Sequence, residues 1–152
     1  AQACAVLRST TEWEAPESAS VGEIAMTLRD LLLVASGGAV GSTLRYLVSQ
    51  SAPLLLPAAV FPLGTLVVNI TGSLLIGLFA GLAEYRQMFG PGARLLLVVG
   101  VLGGYTTFSA FSLETLSLLR SGQSLTALLS VFLHLSLGIA AAAAGFAAAR
   151  AF

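Results

Sequence analysis

Four long apolar stretches dominate the chain, and short polar or proline-containing stretches separate them. The apolar stretches run approximately over residues 31–49, 61–83, 95–119 and 124–149. A helix needs about 20 residues to cross the hydrocarbon core of a bilayer, and each stretch has about that length. The pattern therefore predicts an all-α membrane protein with four transmembrane helices and with both ends on the same side of the membrane.

The third apolar stretch contains polar and glycine residues that a lipid-facing helix does not need. From Gly103 to Glu114 it reads Gly-Gly-Tyr-Thr-Thr-Phe-Ser-Ala-Phe-Ser-Leu-Glu. Irregular backbone at membrane depth is tolerated only where it is buried in protein or lines a water-filled path. We therefore predict that residues 103–107 break the third helix, and that the Phe and Ser residues after the break line a path.

The composition is also that of a membrane protein. Hydrophobic residues make up 57% and charged residues 9% of the 152 residues, whereas a soluble domain carries roughly 25% charge. The seven basic residues are all Arg and are balanced by seven acids, which leaves no patch for nucleic acid. The sequence shows no nucleophile–base pair, phosphate loop or metal-ligand cluster, so we do not predict an enzyme.

Residues 1–25 differ from the rest of the chain. They carry several Glu, Ser and Thr residues and no apolar run of membrane length, and they are not typical of a signal peptide. We expect them to be a disordered or non-native extension, with a short surface helix as the alternative. Met26 then resembles a natural start, and residues 26–152 form the four-helix membrane domain.

The arginines specify the orientation of the chain only weakly. Arg29, Arg86, Arg94 and Arg150 lie on the side of the termini, and Arg45 and Arg120 lie on the other side. The positive-inside rule favours cytoplasmic termini, but so small a bias is also what a chain that inserts in both orientations would show. Four helices are too few to enclose a pore, so we expect an oligomer.

Small residues predict close helix packing. Pairs of glycines four residues apart let helix backbones approach each other in lipid. The pairs are Gly37 and Gly41, Gly77 and Gly81, and Gly100 and Gly104.

Polar side chains recur on one face of the second helix. Thr65, Asn69 and Ser73 are four residues apart, so they share a face. Asn69 falls near mid-span, where its amide needs hydrogen-bond partners. These side chains could simply join neighbouring helices, as polar residues in membranes often do, or they could serve a ligand.

A second candidate face follows the predicted break. Phe108, Phe111 and Ser112 share it, although two Phe residues at this spacing are usually core. Ring edges carry partial positive charge, and amides and hydroxyls donate hydrogen bonds. Together such groups could replace the water around a small anion without a fixed positive charge, and conduction requires weak, multiple sites of this kind.

The break and two charged residues suggest further roles. Carbonyl oxygens of Gly103 and Thr106 could coordinate a cation near a dimer axis, as unwound helices do in transporters. We expect Glu114 and Arg45 to lie toward the same membrane face. They are either functional charges or an interfacial pair.

Three motifs in order resemble the Fluc (CrcB) fluoride channels. They are GGAVGSTLRY at residues 37–46, GTLVVN at 64–69 and GGYTTFSAFSLE at 103–114. The resemblance covers residues 26 to about 149. It implies a passive fluoride-selective channel of the cell inner membrane through which cytoplasmic fluoride leaves the cell.

The resemblance also implies an assembly and a set of site residues. The assembly is an antiparallel, dual-topology homodimer with two fluoride pores and a central sodium ion, held by backbone carbonyls of Gly103 and Thr106 in each subunit. The implied fluoride path contains Arg45 at a vestibule, Thr65 and Asn69 on the second helix, Phe108 and Phe111 as ring-edge contacts, and Thr107, Ser112 and Glu114 along the path or at its mouth.

The fourth helix departs from the family pattern, in which a Tyr and Ser residues often face the pore. Ser130 and His134 fall on that face, and His134 is either a pore-side substitute or a packed histidine. Ala110 stands where a Thr or Ser is common, which leaves no hydroxyl at that position.

Two other functions compete with a channel. A small dimeric proton-coupled multidrug exporter needs a carboxylate in its first membrane helix, and residues 31–49 contain none. A non-transporting subunit of a larger complex would leave the polar face unexplained.

Overall fold

The computed structural model describes residues 27–55 and 61–151, with only the backbone described for residues 52–55. The expected extension, residues 1–25, and the expected start at Met26 lie outside the described residues and stay predictions. Within the described ranges, regular structure is entirely helical.

Four helical spans are long and apolar enough to cross a membrane, as predicted. The first is α1 (Leu28–Leu55), the second is α2 (Leu63–Arg86) and the last is α6 (Ser124–Ala148). The third span, Pro91–Arg120, is composite. It contains α3 (Pro91–Arg94), a π-helix (Leu95–Leu102), α4 (Gly103–Tyr105) and α5 (Phe108–Arg120).

The first helix is longer than the predicted stretch at both ends. At its start, Thr27 and Asp30 form a capping box. The Thr27 backbone N–H and hydroxyl donate to the Asp30 carboxylate, and the Asp30 N–H donates to the Thr27 hydroxyl. At the other end, residues 51–55 were expected in a loop but belong to α1. Pro53 lies in this last turn, where its missing N–H leaves one i→i−4 hydrogen bond unmade.

The third span is broken, as predicted, but over two residues only. Thr106 and Thr107 have extended backbone, with φ −75° and ψ 153° for the first and φ −148° and ψ 117° for the second. The prediction of residues 103–107 was too wide, because Gly103–Tyr105 still forms a helical turn and the Thr106 N–H bonds to the Leu102 carbonyl at 3.0 Å.

Glycines bring the helices together at two seams. α1 packs on the π-helix and α4, and α2 packs along α6. A Cβ added to Gly41 would meet the Val101 carbonyl oxygen, and one added to Gly77 would meet the Ala142 carbonyl oxygen. These contacts confirm that the glycine pairs serve close packing.

Most apolar side chains of the single chain point outward. In an apolar stretch of 18 residues within each span, only 11% to 28% of the residues are buried. Large side chains such as Leu125, which is 80% exposed, have few contacts within the chain. A membrane protein can expose such a surface to lipid or to another subunit.

Candidate functional site

Asn69 of α2 closes the break in the third span. Its Oδ1 accepts a hydrogen bond from the Thr107 N–H at 2.9 Å, and its Nδ2 donates to the Thr107 carbonyl at 3.0 Å. The amide therefore supplies both backbone partners that an extended residue at membrane depth lacks. A primary amide has two N–H donors. The bond to Thr107 uses one of them, so Asn69 has a second N–H that can donate to another group.

Two further contacts fix the break against α2. The Tyr105 and Thr71 hydroxyls are 2.9 Å apart. Gly72 lies directly against the Thr106 methyl group, where no Cβ could fit. Sequence reasoning did not single out Thr71, Gly72 or Tyr105 as site residues. The position of Gly72, three residues after Asn69, was the one signal in the sequence for its contact with Thr106.

The break also diverts two donors from their usual acceptors. In a continuous α-helix the carbonyl oxygens of Gly103 and Thr106 would accept from the N–H groups four residues later, on Thr107 and Ala110. The Thr107 N–H instead donates to Asn69, and the Ala110 N–H donates to the Thr107 hydroxyl at 3.2 Å, which caps α5. Both oxygens thus lose their α-helical donors.

A polar cavity of about 260 Å³ lies between α1, α2 and the start of α5. Its lining residues are Ser42, Arg45, Tyr46, Ser49, Thr65, Thr107, Ala110 and Glu114. Arg45 and Glu114, which were expected toward the same membrane face, both line this cavity. The hydrogen-bond partner of Glu114 is Thr65, whose hydroxyl donates to the carboxylate Oε1 at 2.6 Å.

The two predicted ring residues lie on a different face of α5. Phe108 and Phe111, with Ser112 and Thr115, form one wall of a groove of about 420 Å³, and residues of α6 form the other. Phe111 is 9% exposed and Phe108 is 78% exposed. The structure thus divides the implied path into a polar cavity and an aromatic groove on two sides of α5.

Behind the aromatic groove, Phe111 contacts His134 of the fourth helix. The imidazole and the Phe111 ring have centroids 4.4 Å apart. His134 Nδ1 lies 2.9 Å from the Ser130 carbonyl oxygen, and Ser130 is fully buried. His134 is therefore packed, and its packing partner is one of the predicted path residues.

Four buried side-chain polar atoms lack a hydrogen-bond partner within the described ranges. They are Arg45 Nε, Glu114 Oε2, Thr115 Oγ1 and His134 Nε2. Native structures contain few such atoms, and each calls for an explanation such as a water or an ion. Here three line the polar cavity or the aromatic groove, and the fourth belongs to the residue packed on Phe111.

The comparison with known families identifies the chain. The family model described as CrcB-like protein, Camphor Resistance (CrcB), matches residues 32–146. The chain belongs to the CrcB family. Together with the four apolar spans, membership of this family makes it a multi-pass protein of the cell membrane.

Several CrcB relatives carry a functional name. A protein of Rhizobium meliloti (strain 1021) named fluoride-specific ion channel FluC is 46% identical over 124 residues, which are 82% of this chain and 98% of that protein. A FluC of Rhizobium etli is 48% identical over 120 residues, 79% of this chain and 95% of its own length. A FluC of Hyphomonas neptunium is 48% identical over 124 residues, 81% and 97% of the two chains.

The exporter alternative finds no support in this site. The only carboxylate of α1 is Asp30, which lies in the first turn and is held by Thr27. It lines neither the polar cavity nor the aromatic groove.

Removal of the Asn69 amide should destabilise the fold. In Asn69→Ala the Thr107 N–H and carbonyl lose their partners, and an unsatisfied buried polar group costs about 1–3 kcal/mol. We expect a lower melting temperature in detergent, measured by thermal unfolding. Ser73→Ala, about one turn after Asn69 on the same helix, is the matched control and should melt close to the wild type. Equal melting of both variants would contradict a structural role for the amide.

Proposed function

We propose that this CrcB protein is a fluoride-selective channel through which the ion moves passively, so that fluoride leaves the cell when its cytoplasmic concentration is higher. The observation that carries the proposal is the set of relatives named fluoride-specific ion channels, which are 46–48% identical over at least 95% of their own length. The proposal also draws on the chemistry of the groups around the break.

The donors around the break suit an anion that has to be released again after it binds. An isolated ion in hydrocarbon costs tens of kcal/mol by Born estimates, so donors have to replace its water. Asn69 retains one N–H, and the Phe108 and Phe111 rings offer positive edges in the aromatic groove. Neutral groups of this kind give several weak sites rather than one tight ion pair, as conduction requires.

Two of the implied hydroxyl donors have other acceptors. Thr65 donates to Glu114, and Ser112 donates to the Phe108 carbonyl at 2.9 Å. Each hydroxyl has to rotate away from its acceptor before it can donate to fluoride. The Asn69 N–H and the ring edges need no such change, so we assign them the first contacts with the anion. Arg45, Thr107 and Glu114 then line the vestibule on the other side of α5.

We infer that the working unit is an antiparallel homodimer. Thr106 and Thr107 are only half-buried and Phe108 is largely exposed in the single chain, and irregular backbone does not face lipid. A second copy that packs over the break would cover these residues. The small Arg bias between the two membrane sides, four against two, is compatible with insertion in both orientations.

A sodium ion fits the carbonyl oxygens of Gly103 and Thr106. Both oxygens have lost their α-helical donors, and hard cations take oxygen ligands of this type. When bound, sodium would supply positive charge to the negative ends of these carbonyl dipoles. The chain itself contributes the geometry, since Asn69 and the Thr107 cap keep the competing N–H groups away.

Fluoride release from liposomes tests the proposed function. The purified wild type should release fluoride and not chloride, as measured with ion-selective electrodes. Phe108→Ile and Phe111→Ile remove the ring edges and should each slow release at least tenfold, a change worth about 1.4 kcal/mol. Phe132→Ile, which removes a ring that is 64% exposed on α6, is the matched control. No release by the wild type would refute the channel, and unaffected release by both groove variants would refute the ring-edge mechanism.

Cysteine labelling tests the antiparallel dimer. Cys4 is replaced by Ser, and a single cysteine is placed at Ser121, in the exposed turn between α5 and α6. In membrane vesicles, an impermeant maleimide should label part of the protein from the outside and the remainder only after the vesicles are opened. A second cysteine variant at Gln87, exposed before α3, should give the same split. Complete labelling from one side would contradict dual topology.

Substitutions at Thr106 test the sodium site. Thr106→Ser keeps both the carbonyl and the hydroxyl that bonds to the Leu102 carbonyl, so its effect on fluoride release should be mild. Thr106→Pro removes the N–H that also bonds to this carbonyl and should impair release. Replacement of sodium by a large organic cation should slow the wild type and Thr106→Ser. Negligible effects of both substitutions and of sodium removal would argue against the site.

A further inference from the structure

His134 of α6 is in contact with the Phe111 ring of the aromatic groove. The two rings are in tilted contact, with centroids 4.4 Å apart and an interplanar angle of 38°. At this distance and tilt the imidazole lies against the face of the phenyl ring rather than beyond its edge. Phe108, the other ring of the groove, is farther away, with its centroid 5.6 Å from that of Phe111.

The imidazole is itself held in a fixed orientation. Nδ1 of His134 lies 2.9 Å from the Ser130 carbonyl oxygen and 3.4 Å from the Ser130 hydroxyl oxygen. Ser130 is fully buried. His134 Nε2 is buried and has no partner in the described part of the chain, so the contacts of Nδ1 with Ser130 and the contact with the Phe111 ring define the position of the side chain.

The consequence for an anion follows from the charge distribution of an aromatic ring. The face of a phenyl ring is negative and its edge is positive. Phe111 lines the aromatic groove while His134 lies against its face. A ring whose face is covered by the imidazole would present its edge to the groove, whereas a ring free to turn would also expose its repulsive face.

We propose that His134 is a positioning residue for fluoride, which acts by holding Phe111 edge-on to the aromatic groove. This inference rests on the proposed fluoride function. It assigns the effect to the flat ring of His134 and not to a direct bond from its nitrogen to the ion, since Nδ1 is already in contact with Ser130.

Three substitutions of His134 separate the ring from its nitrogens. His134→Phe keeps a flat ring and loses both nitrogens. His134→Leu loses the ring and the nitrogens but keeps an apolar side chain, and His134→Asn keeps an N–H near the position of Nδ1 without the ring. In liposomes we expect His134→Phe to release fluoride at nearly the wild-type rate, and the Leu and Asn variants to be at least tenfold slower, about 1.4 kcal/mol.

The outcomes distinguish the inference from the proposed function. Loss in His134→Phe together with retention in His134→Asn would assign the role to the hydrogen bond and overturn the inference. Unchanged rates in all three variants would overturn it as well, while the wild type still releases fluoride. Failure of the wild type itself would instead refute the channel. Ile139→Ala, at a side chain 70% exposed on the same helix, controls for truncation on α6.

A measurement on the unmodified ring does not depend on whether the His134 variants fold. In protein with labelled Phe rings, the Phe111 resonances are assigned by their loss in Phe111→Ile. Fluoride should shift the resonances of the Phe111 ring edge in the wild type, and an equal concentration of chloride should not. An edge that is insensitive to fluoride would overturn the inference, whichever His134 variants fold.

Discussion

The two hydrogen bonds between the Asn69 side chain and the Thr107 backbone are the contact on which the site depends. An unsatisfied backbone group in the bilayer core costs several kcal/mol, so a two-residue break in the third span needs partners from elsewhere. Asn69 supplies them from α2. The same bonds draw the Thr107 N–H away from Gly103, and the Thr107 hydroxyl then takes the Ala110 N–H and restarts the helix. The Asn69 amide and the Thr107 hydroxyl together therefore leave two carbonyl oxygens without their α-helical donors.

The direction of α5 after the break determines which of its side chains line the polar cavity and which line the aromatic groove. One side of α5 contributes Thr107 and Glu114 to the polar cavity, and another contributes Phe108 and Phe111 to the aromatic groove. The groove is completed only in part by α6, and Phe108 remains largely exposed. This incompleteness of the single chain is the physical argument for a partner subunit in the proposed channel, since neither an open break nor a mid-membrane polar face belongs against lipid.

The sequence allowed the prediction of the four spans and of the break, because both depend on local composition. Apolar length predicts a span, and Thr-Thr after two glycines inside such a span indicates irregular backbone. The extent of the break was not predictable, because the turn Gly103–Tyr105 stays helical and Gly104 packs against the Gly38 backbone of α1. The partners of polar groups were not predictable either. Thr65 and Glu114 are 49 residues apart in the chain, and His134 meets Phe111 only because of how α5 and α6 are rotated about their axes.

Amide hydrogen exchange at Thr107 tests the central claim most directly. The Thr107 N–H would be protected from exchange in an unbroken helix as well as in a break that Asn69 bonds to. Only in the second case does the protection depend on a side chain of α2. We predict that the Thr107 N–H of the wild type exchanges as slowly as the amides in the interior of α5, and that Asn69→Ala makes it exchange rapidly while those amides stay protected. Rapid exchange of Thr107 in the wild type, or protection that persists in Asn69→Ala, would contradict the claim.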